Sequence, residues 1–132
     1  MKKVLFLLVL IAFSTSFYAQ NIAVGTYESE TKNFDQIFSI VLRTIPLSEY
    51  SVKNTDKDGG TIVASRNAKL EAKEFSSMTI FIAQTDGKII IHNTMVRNSG
   101  FIGGGKPQDW VKEFGELLKE EIPDLTIKVV KK

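Results

Sequence analysis

His92 is the only imidazole in a 132-residue chain that contains no cysteine. An imidazole works as a general base when a carboxylate orients it, and Asp86 or Glu74 could do so only if a sheet brought them alongside. The absence of cysteine rules out thiol catalysis, and a single histidine leaves no histidine cluster for zinc. His92 falls on the strand face opposite Ile89 and Ile91, which reads as a surface or cross-strand side chain. A hydrolase using His92 is the weakest functional reading. No catalytic residue and no cofactor is assigned.

Two further stretches carry chemistry-bearing spacing. Asn54-x-Asp56-x-Asp58-Gly59 matches the first half of a calcium loop, in which alternating oxygens converge on the ion. The second half is missing, since Ser65 stands where a bidentate glutamate should close the shell. Asx residues and glycines also build any hairpin turn, so the stretch from Asn54 to Gly60 is read as structural. Gly100-Phe101-Ile102-Gly103-Gly104-Gly105-Lys106 has the spacing of a phosphate-binding loop. Pro107 replaces the Ser or Thr that would hold magnesium, so nucleotide binding fails at that position. Phe101 and Ile102 between glycines instead suit a loop that touches a partner or gates a ligand.

The elements that must position these residues follow from periodicity. Phe34, Ile37, Phe38, Val41, Leu42 and Ile45 recur at helical spacing, with Asn33 and Gln36 forming a capping box and Pro46 ending the helix. From Tyr50 the period changes to two: Tyr50 and Val52 lead into the Asn54–Gly60 turn, and 61–66 returns as a strand. A second hairpin spans Phe75 to Arg97 around Asp86-Gly87, with Met78, Ile80 and Ile82 on one face and Ile89 and Ile91 answering across the turn. Pro107 opens a second helix whose buried stripe is Trp110, Phe114, Leu117 and Leu118, and Pro123 closes it. Leu125, Ile127 and Val129 alternate as a last short strand. Residues 20–32 read as a polar lead-in in which Ile22, Val24 and Tyr27 could form a short edge strand. The expected fold is an α+β two-layer sandwich: an antiparallel sheet of four strands, or five with the C-terminal one, covered on one face by two helices.

The first residues say where the protein works. Lys2 and Lys3 precede an unbroken apolar run from Val4 to Phe13, and small or polar residues follow up to Ala19. That order of parts is a secretory signal peptide, and the run is short for a membrane span. Cleavage is placed after Ala19, with Ser16 as the other site, leaving no span in the mature chain and one α+β domain over 33–132. The compact, lysine-led signal has a bacterial look, and the product would be periplasmic or secreted. Of the 17 Lys+Arg and 15 Asp+Glu, Lys2 and Lys3 leave with the signal, so 15 of each remain and the mature chain is formally neutral. A neutral chain has no basic field for nucleic acid or an anionic membrane. Without disulfides, apolar packing must supply the stability.

Helix, Tyr50-x-Val52, an Asp/Gly hairpin and then Ile62-x-Ala64 resembles the small helix-grip modules of bacterial envelope lipoproteins, the BamC type, over Phe34 to Ser65. The later hairpin and helix agree with that family only in order, and the lipidated cysteine is lacking. The resemblance implies a non-catalytic envelope module. The leading expectation is therefore an exported domain that binds an envelope protein through an exposed sheet face or edge, or through the Phe101-Ile102 loop. The alternative is a carrier of a small apolar ligand held between Trp110, Phe114 and the inner residues Met78, Ile80 and Ile82.

Overall fold

A computed structural model describes residues 21–67, 74–98 and 105–131. The signal segment 1–19 and loop residues 100–104 lie outside the described residues. Among the described residues six strands and two helices follow in the order β1 (Ile22–Ser29), α1 (Phe34–Thr44), a 3-10 turn (Ile45–Ser48), β2 (Ser51–Asp56), β3 (Thr61–Asn67), β4 (Glu74–Thr85), β5 (Lys88–Arg97), α2 (Pro107–Glu121) and β6 (Thr126–Lys131). The strands form one sheet in the order β2-β3-β4-β5-β1-β6, with every neighbouring pair antiparallel.

Local chemistry explains the element ends. The Gln36 backbone N–H donates to Asn33 Oδ1 at 2.9 Å while the Asn33 N–H donates to Gln36 Oε1 at 3.0 Å, so the capping box satisfies two otherwise orphaned donors. Asp86 and Gly87 both take positive φ, 48° and 78°, as a two-residue hairpin turn of the twist-matched kind requires. Alternation then sends Ile62, Ala64, Met78, Ile80, Ile82, Ile89, Ile91 and Met95 into the core, with Tyr27, Phe114 and Leu118 packed against them.

The strand count departs from the sequence expectation. The stretch expected to be a lead-in, or at most an edge strand, is β1, an interior strand paired with β5 on one side and β6 on the other. Its hydrophobic pattern hid it. Ile22 and Val24 point to one face and Tyr27 to the other, and the core-facing positions between and beyond are Gly25 and Ser29. Small residues are there because α2 lies close: a Cβ at Gly25 would come 2.2 Å from Val111 Cγ1, and one at Gly115 would come 2.8 Å from Tyr27 Cε1. The Tyr27 hydroxyl donates to the Val111 carbonyl and accepts from Asn93 Nδ2 at 3.1 Å, pinning helix to sheet through a buried phenol. Burial pushes the Tyr27 phenol far above its ordinary range, with the Asn93 hydrogen bond opposing.

Helix placement departs as well. α2 packs over β1, β5 and β6, touches α1 and reaches the start of β4 through Trp110 on Phe75, whereas α1 covers the rest of β4. Trp110 and Phe114 do line a cleft, but opposite Met95 rather than the expected Met78, Ile80 and Ile82. Those three β4 side chains are at most 2% exposed and belong to the filled core.

Candidate functional site

One face of the sheet carries the core and the other faces outward. On the outward face, cross-strand pairing builds two central rows. Asp56, Thr61, Phe81, His92, Thr26 and Lys128 form one, and Asn54, Val63, Thr79, Thr94, Val24 and Val130 form the next. Phe81 is 46% exposed, Val63 38% and Val130 46%, and Ile22, Val24, Ile90 and Val96 are half-buried around them. The charged members, Asp56 and Lys128, stand at the two ends of the first row, on the edge strands. His92 is exposed and stacks on Phe81, with ring centroids 6.1 Å apart. Its direct strand neighbours are Phe81 and Thr26, and neither is the carboxylate a general base would need.

A second feature lies on the helix side. Arg66 follows Ile62 and Ala64 at a core-facing position of β3. A register shift opposite Arg66 and Asn67 turns Phe75 inward beside Ser76. The Arg66 guanidinium carbon thereby sits 4.9 Å from the Phe75 ring centroid, 5.5 Å from Trp110 and 5.7 Å from Tyr50. Cation–π contacts contribute about 0.5–1 kcal/mol when exposed and about 2 kcal/mol when desolvated, and this guanidinium, 24% exposed, lies between the two. Ser76 Oγ donates to the Val96 carbonyl at 2.8 Å, so the Tyr50 hydroxyl donates to Ser76. Burial raises the Tyr50 phenol pKa, opposed by the Ser76 hydrogen bond and by the Arg66 charge. The arginine opens into a cleft of about 250 Å³ between the 3-10 turn and α2.

The residues singled out in the sequence fall elsewhere. Asn54 and Asp56 lie on the edge strand β2, and Asp56 Oδ1 accepts the Gly59 N–H at 3.1 Å, an Asx-type closure of the turn. Gly60 takes φ of 71°, and a Cβ there would lie 2.4 Å from the Ile82 carbonyl oxygen. Asp58 is exposed in the turn. Among the described residues no three His, Asp or Glu side chains gather as metal ligands. Of the glycine-rich loop, Gly100, Phe101, Ile102, Gly103 and Gly104 are outside the described residues. The Gly105 carbonyl accepts from Arg97 Nη1 at 3.1 Å, and Lys106 is the exposed residue before Pro107 opens α2. The Glu74 side chain is likewise outside the description.

Sequence reasoning missed the aromatic enclosure of Arg66. The available signal was a charged residue continuing the inward alternation Ile62, Ala64, Arg66.

No protein-family model and no curated protein matches this chain. Among solved structures it is similar to a de novo designed protein with a ferredoxin fold, determined by solution NMR. The two are 16% identical, the likeness covers 85% of this chain and 84% of the design, and the TM-score is 0.50. The likeness concerns the fold alone. Setting aside the β2–β3 hairpin, the remaining order β1-α1-β4-β5-α2-β6 is the β-α-β-β-α-β order of ferredoxin-like folds. The chain is an α+β protein of that broad architecture.

Proposed function

We propose that this protein is an exported, non-enzymatic domain that binds a protein partner in the bacterial cell envelope through the outward face of its sheet. The observation that carries the reading is the exposed Phe81 at the middle of that face, with Val63 and Ile90 diagonal to it on β3 and β5, while Val24 and Val96 lie beyond the Thr79–Thr94 pair. Large apolar side chains exposed on the centre of a sheet face are unusual enough to mark an interaction site. Aromatic side chains, Phe included, are enriched at the cores of protein interfaces. The weakly charged face and the neutral mature chain favour a partner surface that is itself apolar and uncharged. Export rests on the Met1–Ala19 segment. His92 then serves as a flat polar neighbour to the Phe81 anchor rather than as a base.

A photoreactive amino acid at position 81, compared with one at Lys112 on the outer side of α2, tests the reading in intact cells. The proposal expects an adduct of one defined mass from position 81 only. Adducts of twice the chain mass would replace the partner with a second copy, and equal adducts from both positions would remove the sheet face from the account.

A further inference from the structure

We infer that the cleft beside Arg66 is a binding site for a free apolar α-amino acid. It lies on the helix side of the sheet, so it is independent of the partner face proposed above. Its apolar walls are Leu47, Met95, Trp110 and Leu117, and its ionic groups are Arg66, Glu49 and Glu113.

Among the described residues the guanidinium is held but poorly satisfied. The three aromatic rings fix its plane without offering an oxygen acceptor, because the Tyr50 hydroxyl is engaged with Ser76. Its ion partner among the described residues is Glu49, whose carboxylate stands 3.9 Å away with its side chain 72% exposed. That distance exceeds a hydrogen bond, and a carboxylate meeting the planar fork bidentately would bind it more strongly. Glu49, which lines the cleft, is itself in the left-handed region at φ 68°, a conformation unusual for a residue with a side chain. Glu113 lines the opposite wall from α2 and makes no ion pair among the described residues.

Charge decides the ligand class. With two carboxylates and one guanidinium, the lining repels a simple anion. A simple cation would find the aromatic faces already covered by Arg66. A zwitterion matches all three groups: its carboxylate pairs with Arg66, its ammonium lies between Glu49 and Glu113, and its side chain meets the apolar walls. A cleft of about 250 Å³ suits one amino acid rather than a larger ligand.

Calorimetric titration of the purified protein with L-phenylalanine and L-leucine tests this, with N-acetyl-L-phenylalanine and L-phenylalanine amide as forms lacking one charge each. The site expects measurable millimolar or tighter binding of at least one free amino acid and about tenfold or greater weakening for both blocked forms. Glu113→Gln, on the exposed side of α2, is expected to weaken binding by about tenfold or more with an unchanged melting temperature, and Phe81→Ser to leave it unchanged. Arg66→Lys keeps the charge but loses the fork and is expected to weaken binding similarly. No heat from either amino acid, a blocked form within tenfold of the free one, or full affinity in Glu113→Gln would each overturn the assignment.

Discussion

Phe81 on β4 and His92 on β5 face each other directly across the ladder, and their rings stack at 6.1 Å with 22° between the planes. Both side chains are exposed. An exposed aromatic pair at the centre of a sheet contributes little to the fold, because its area stays in water. Its placement bears on what the face meets, whereas stability is set on the other side of the sheet.

Tyr27→Phe removes the acceptor of the Asn93 amide and the donor to the Val111 carbonyl in a fully buried place. Asn93 Oδ1 already has no hydrogen-bond partner among the described residues, so the whole amide would be left unpaired. Urea denaturation should give a loss of about 1–3 kcal/mol. Adding Asn93→Leu to that variant should recover part of the loss, since both polar partners are then gone. Equal stability of wild type and Tyr27→Phe would contradict the buried contact.

Gly25→Ala places a methyl where Val111 Cγ1 stands only 2.2 Å away. Helix α2 must lift or Val111 must leave its rotamer, at a cost of about 1–3 kcal/mol. A melting temperature at or above wild type would mean that α2 does not press on β1 as described.

Gly60→Val meets both a positive φ and the Ile82 carbonyl, so it should destabilise by about 1 kcal/mol or more. Asp56→Asn should change little, because an amide oxygen can still accept the Gly59 N–H. Thermal melts with and without millimolar calcium check the rest of the turn. A calcium-dependent rise in wild type that vanishes in Asp56→Asn would make the turn an ion site instead.

Asp124 ties the β1–α1 connection to the end of α2. Its carboxylate accepts from the Thr31 hydroxyl at 2.7 Å, the Glu30 N–H at 2.8 Å and the Ser29 hydroxyl at 3.0 Å. These bonds, Thr31 first and Glu30 next, hold its pKa below the usual carboxylate value. A depressed folded pKa means that the stabilisation is complete above the unfolded value of about 3.9 and is lost as pH falls through the folded one. Wild type should therefore lose its advantage over Asp124→Asn in acid unfolding below about pH 4. An advantage that persists unchanged to the lowest pH would contradict the hydrogen-bonded carboxylate.

Much of the fold was legible where one residue type per position carried the signal. The Asn33–Gln36 box, the Asp86-Gly87 turn, the start of α2 at Pro107 and the alternating runs around them stand where their chemistry places them. β1 was not legible because its identity is written in what it lacks: Gly25 and Ser29 face the core, where a scan for apolar periodicity finds a gap. Only the closeness of α2 explains that gap. The site was less legible than the fold. The Phe81–His92 pair needs the register of β4 against β5, and the enclosure of Arg66 needs a bulge that turns Phe75 inward together with residues from two distant elements. Neither arrangement has a local sequence signal.

The central claim is that the Phe81 face is the partner surface, and affinity tests it most directly. With the cross-linked partner in hand, binding of wild type is compared with Phe81→Ser and with Leu47→Ser, the latter a substitution at a 68% exposed apolar residue on the helix side. Both variants should keep wild-type stability within about 0.5 kcal/mol. The account predicts that Phe81→Ser weakens the complex by about 2 kcal/mol or more while Leu47→Ser leaves it unchanged. Undiminished binding by Phe81→Ser, or an equal loss in both variants, would contradict it.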